Sequence, residues 1–247
     1  MPSVTSADGT HIAYEALGQG PPVVLVGGGL DDGAENVPLQ HELAANLTVI
    51  NYTRRGRGES GDTQPYAAAR EFEDLQALID VAGGRAHVLG VSTGGALALE
   101  AAAAGASIER LAVYEVPYYV PGWDEYVATI TALLTEDRRD EALEHFMRTA
   151  GSSEESIAGA RASEYWPGLL RLAPTLAYDA ACLGDSRPPQ GVGQRVLVLT
   201  GGADLFFEGA ADALAEALPN AARETIPGQG HVADPKALAP VLERFYG

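Results

Sequence analysis

The chain has 247 residues, 46% of them hydrophobic and 20% charged, a composition that can bury one large core and excludes a disordered or fibrous chain. Its 34 acidic residues against 16 lysines and arginines give a formal net charge of -18 at pH 7, a field that repels phosphate backbones and anionic headgroups. Nucleic acid and membrane surfaces are therefore not expected as partners, and a small molecule is.

The length suits one α/β domain, and strand and helix patterns alternate along most of it. A hairpin is expected first, with strands at 4–6 and 11–17 around the Asp8-Gly9 turn, followed by a continuous apolar run at 23–26 of the kind a buried parallel strand shows. That run ends in Gly27-Gly28-Gly29. A helix at 34–46, a strand at 47–52, an amphipathic helix at 66–81 and a strand at 86–91 come next. A small-residue helix at 96–104 and a buried strand at 111–116 complete the first part of the core.

From 117 to 193 the period changes, with helical stretches at 124–134, 139–149 and 153–164 and no strand, as expected of a helical cap inserted into the core. The parallel pattern resumes with strands at 196–200 and 223–226 and helices at 209–218 and 235–245. The expected architecture is thus a mostly parallel eight-stranded sheet with helices on both faces, formed by residues 1–116 and 194–247, with a cap at 117–193. Aromatic residues crowd into and just before that cap, and Tyr118, Tyr119, Trp123, Tyr126 and Trp166 are expected to roof an apolar pocket. The single cysteine, Cys182, allows no intramolecular disulfide. The segment Met1 to Thr5 has neither a charged nor an apolar leader pattern, so a cytoplasmic location is expected.

Gly90-Val91-Ser92-Thr93-Gly94 fits G-x-S-x-G between a strand and a helix, a turn that lifts the serine hydroxyl above the sheet. A serine needs a base, and of the five histidines only His231 follows the last strand in a loop, on the edge where Ser92 projects. The base in turn needs a carboxylate. Asp204, after the strand at 196–200, is favoured; Glu115, at the end of the preceding strand, is the alternative whose longer side chain could reach the same imidazole. The N–H groups of Gly29, Gly28 and Thr93 are candidates for an oxyanion hole. Gly56-Arg57-Gly58-Glu59-Ser60-Gly61 fits a dinucleotide fingerprint, but Asp62-Thr63-Gln64-Pro65 delays the helix that such a site requires. Neither a cofactor nor a metal is expected.

These landmarks, with Arg55-Gly56-Arg57-Gly58-Glu59-Ser60 as an R-G-x-G-x-S loop, resemble the α/β-hydrolase superfamily along essentially the whole chain. The resemblance implies Ser92 as nucleophile, His231 as base, Asp204 as acid and a cap between the sixth and seventh strands. The implied reaction is hydrolysis of a carboxylic ester, lactone or related acyl bond. Cofactor-free perhydrolase, lyase or cyclase chemistry on the same scaffold, or a non-catalytic ligand-binding homologue, is the alternative. Two features depart from the family pattern: Gly27-Gly28 stands where many members have His-Gly, and Leu205-Phe206-Phe207-Glu208 replaces a proline-bearing loop.

Overall fold

The computed structural model describes residues 1–247. Eight strands form one sheet: β1 (Ser3–Thr5), β2 (His11–Leu17), β3 (Pro22–Val26), β4 (Thr48–Tyr52), β5 (Ala86–Val91), β6 (Ile108–Tyr114), β7 (Arg195–Gly202) and β8 (Ala221–Gln229). Their order is β1-β2-β4-β3-β5-β6-β7-β8, antiparallel at the two pairings of β2 and parallel from β4 to β8. Period-two alternation divides the core between the two faces. Val24, Val26 and Val88 pack on one side with α2 (Ala68–Val81) and α3 (Thr93–Ala103). Val23, Leu25 and Leu89 pack on the other with α1 (Val37–Leu43) and α10 (Pro235–Tyr246). Covered on both faces, these strands read as continuous apolar runs.

Between β6 and β7 lie five helices, α4 (Trp123–Thr135), α5 (Arg139–Thr149), α6 (Glu154–Arg161), α7 (Trp166–Leu172) and α8 (Leu176–Leu183), with a 3₁₀ turn at Ala173–Thr175 before the last. The two helices after Trp166 were not expected. Pro167 and Pro174 each sit in the first turn of a helical element, where the missing N–H costs nothing, so they start helices here rather than break them. The helix α9 (Leu205–Ala217) begins four residues earlier than expected, and α3 begins directly after Ser92 instead of at 96. The last strand continues past Pro227 to Gln229, tolerable because β8 is an edge strand. No helix is long and apolar enough to cross a membrane.

Candidate active site

The parallel strands deliver the site residues to one edge of the sheet. The turn from β5 to α3 holds Ser92 at φ 53° and ψ -127°, a conformation that side chains rarely adopt. It is over-determined by close backbone approach. A Cβ on Gly94 would stand 2.4 Å from the carbonyl oxygens of Val26 and Gly27, and one on Gly90 would stand 2.5 Å from the Cα of Gly95. The Ser92 N–H donates to the Tyr114 carbonyl at 2.8 Å, tying the turn to the end of β6. Ser92 opens onto a cavity of about 700 Å³ under the helical insertion.

Glu115 follows β6 in a left-handed conformation, φ 49°, and its N–H donates to the Leu199 carbonyl on β7. Its carboxylate is almost fully buried and split between two partners. Oε1 accepts from the Gly201 N–H at 3.0 Å, and Oε2 lies 2.8 Å from Nδ1 of His231. Only 1% of the Glu115 side chain is exposed, against 44% of the imidazole, so the carboxylate anchors the ring from within while the ring faces the cavity. With Nδ1–H directed to the carboxylate, Nε2 of a neutral imidazole carries the free lone pair. Phe207 stacks on the ring at 4.6 Å and 14°, and Tyr114 Oη donates to the Gly230 carbonyl beside it.

The pairing of His231 with Asp204, favoured from the sequence, is absent from this arrangement. Asp204 is the N-cap of α9, and its Oδ1 accepts from the Phe206 N–H at 2.8 Å. Its carboxylate satisfies an orphan donor of the first helical turn, so the shorter side chain is held away from the imidazole that Glu115 occupies. The alternative carboxylate is the one that meets the ring.

Gly28 and Gly29 line the cavity beside Ser92. A Cβ on Gly28 would stand 3.0 Å from Cβ of Ser92, a crowded contact, so glycine lets this loop lie against the elbow without displacing it. The Gly29 N–H has no partner among the chain's own hydrogen bonds, and Thr93 opens α3, where the first N–H groups lack an intrahelical acceptor. Both donors belong to segments that border the serine, which suits them to an anion forming there.

Trp123 and Tyr126 line the cavity as expected, stacked on each other at 5.1 Å. Tyr118, Tyr119 and Trp166 do not. Tyr118 is fully buried in the core, Tyr119 turns outward at φ 63° to line a separate surface cavity, and Trp166 is buried with its indole N–H on Asp140. Leu143, Phe146 and Met147 of α5 and Phe206 and Phe207 of α9 supply the apolar wall instead. No Lys or Arg lines the cavity, whereas Glu35, Asp179 and Asp204 do. Burial raises the Glu35 carboxyl, and nearby Asp31 pushes it further in the same direction. Asp179 was not singled out in the sequence; it lies in α8 with no local motif to mark it.

The family model described as "Alpha/beta hydrolase family" matches residues 23–241. Among solved structures, an alpha/beta hydrolase from Sphaerobacter thermophilus DSM 20745 is 45% identical, with 100% of both chains covered and a TM-score of 0.91. A thermophilic esterase from Thermogutta terrifontis shares the fold at 22% identity, covering 99% of this chain and 97% of that one, with a TM-score of 0.75. The enol-lactonase from Burkholderia xenovorans LB400 does so at 22% identity, covering 99% of each chain, with a TM-score of 0.73. With a matching family model over most of its length and a relative that is similar from end to end, the chain belongs to the alpha/beta hydrolase family.

Proposed function

We propose that the protein is a serine hydrolase that cleaves an uncharged, mainly apolar carboxylic ester or lactone. The observation that carries this reading is an imidazole held by a buried carboxylate on the same cavity as a strained elbow serine. Ser92 Oγ attacks the acyl carbon while Nε2 of His231 takes its proton, and the imidazolium formed is stabilised by Glu115. The N–H groups of Gly29 and Thr93, with Gly28 beside them, receive the charge on the carbonyl oxygen. Collapse of that intermediate breaks the bond to the alcohol oxygen, which leaves with the proton from His231. Water, deprotonated by the same nitrogen, then releases the carboxylic acid and regenerates Ser92.

The substrate class follows from the walls. Trp123, Tyr126, Phe146 and Phe207 favour apolar or aromatic groups, and a lining that has the Glu35 and Asp204 carboxyl groups and no Lys or Arg disfavours an anionic substrate. The distant esterase and enol-lactonase structures of the same fold are consistent with acyl cleavage. Intact mass after treatment with a small fluorophosphonate tests the reading. One adduct on the wild type and none on Ser92→Ala is expected; no adduct on well-folded wild type would overturn it.

A further inference from the structure

We propose that Asp179, on α8 of the helical insertion, is a positioning residue for the oxyanion hole. The inference rests on the hydrolase reading above. Asp179 Oδ1 accepts three hydrogen bonds from two different segments: from Thr93 Oγ1 at 2.9 Å at the start of α3, and from Arg54 Nη1 at 2.7 Å and Arg57 Nη2 at 2.8 Å in the loop after β4. All four side chains are buried. Arg57 carries the connection onward, donating through Nη1 to the carbonyls of Gly28 at 2.5 Å and Asp31 at 3.0 Å. One carboxylate oxygen of the insertion therefore holds the residue after the nucleophile and, through Arg57, the loop after β3.

The peptide plane turns this contact into an orientation. The carbonyl of Gly28 and the N–H of Gly29 belong to one planar trans unit and point in opposite directions. Fixing the Gly28 oxygen on Arg57 therefore aims the Gly29 N–H to the other side. Oδ2 of Asp179 lies next to that glycine, 3.4 Å from where its Cβ would stand. On the second arm, the hydrogen bond from Oγ1 restrains Thr93 at the start of α3, whose N–H the reading above assigns to the other half of the hole. The two donors come from loops after different strands, packed together through Gly94 and Gly27, and Asp179 bonds to both sides and sets the fine orientation of the two N–H groups.

The bonding pattern separates this role from simple charge neutralisation. Arg54 already makes a fork-like pair with Glu71, Nε to Oε2 at 2.7 Å and Nη2 to Oε1 at 2.8 Å. Asp179 makes no such fork. It gathers three donors on Oδ1 and leaves Oδ2 without a partner. Burial opposes its ionisation, but Arg57 and Arg54 outweigh burial and hold the carboxyl below the usual range, so it is a carboxylate at neutral pH. An anion at this point accepts from both guanidinium groups and the Thr93 hydroxyl and also balances buried positive charge, which a neutral amide oxygen cannot do.

Thr93→Val removes the hydroxyl arm and leaves the ion pairs of Asp179 intact. Fluorophosphonate adduct formation on the wild type is read first, then kcat and KM for p-nitrophenyl butyrate and the affinity of an alkyl boronic acid. For Thr93→Val we expect kcat lower by about ten- to a hundredfold, KM within about twofold, and boronate affinity reduced in parallel. Thr93→Ser should restore most of the loss. Asp179→Asn should lower kcat further, and the double variant should lose less than the product of the single effects. Variants whose kcat and boronate affinity stay within about twofold of an adduct-forming wild type would overturn the inference alone. A wild type that forms no adduct would overturn it together with the hydrolase reading.

Discussion

The strand-end edge and the helical insertion border the same cavity but are built by different means. At the edge, backbone meets backbone: Gly90 and Gly94 sit where a methyl group would collide with a neighbouring chain segment, and Glu115 is clamped by its own N–H on the Leu199 carbonyl and, at its carboxylate, by the Gly201 N–H and the His231 imidazole. The insertion is five short helices whose surface carries exposed ion pairs such as Arg138–Glu141 and Arg161–Glu144, and such pairs add little stability. Its contributions to the cavity are side chains, Trp123, Tyr126, Phe146 and the carboxylate of Asp179. The proposed chemistry thus lies on the backbone-packed edge and much of the apolar wall on the insertion, with Asp179 as the buried connection between them.

Substitutions on the edge should abolish turnover, and substitutions in the insertion should redirect it. The largest effect belongs to Ser92→Ala, for which kcat should fall by about 10³-fold or more, leaving only binding and oxyanion contributions. Next, Glu115→Gln should cost about 10² to 10⁴ in kcat with the fold retained, since the imidazole loses the group that fixes its tautomer and stabilises its charged form. Asp204→Ala, by contrast, should leave kcat within about threefold and lower stability by about 1 kcal/mol, the loss of a helix cap, measurable by denaturant unfolding. In the insertion, Phe146→Ala should change KM several-fold and shift preference toward bulkier acyl chains while kcat moves less, as read from an acyl-length series.

A further effect is one of pH on stability. The Asp179 carboxyl titrates lower in the folded chain than in the unfolded one, so its ion pairs stabilise above the unfolded value of about 3.9 and are lost as pH falls through the folded value. Asp179→Asn should therefore melt below the wild type at pH 7, and the gap should close as pH falls below about 4. A gap that widens on acidification would contradict the charge assigned to this residue.

The parts of the site made by strands were legible because their physics is local. Val23 to Val26 reads as a doubly covered strand, and the glycines around Ser92 announce a turn in which side chains would collide. The partner of His231 was harder. Glu115 and Asp204 both follow strands on the same edge, and choosing between them depended on where α9 begins. A helix from 209 leaves Asp204 free for the imidazole, whereas a helix from Leu205 makes it the N-cap, a role that aspartate commonly fills. The aromatic wall was half legible, because neighbouring residues diverge: Tyr118 turns into the core and Tyr119 away from it. Asp179 could not be read at all. Its partners Arg54 and Arg57 lie more than a hundred positions away, and nothing in the α8 sequence reveals that contact.

The most direct test of the account is the rate of fluorophosphonate labelling of wild type, Glu115→Gln and Asp204→Asn under identical conditions, followed by intact mass. The account predicts a single adduct for all three, with Asp204→Asn within about threefold of wild type and Glu115→Gln slower by about a hundredfold or more. Equal labelling of Glu115→Gln and wild type, with Asp204→Asn slowed instead, would contradict it.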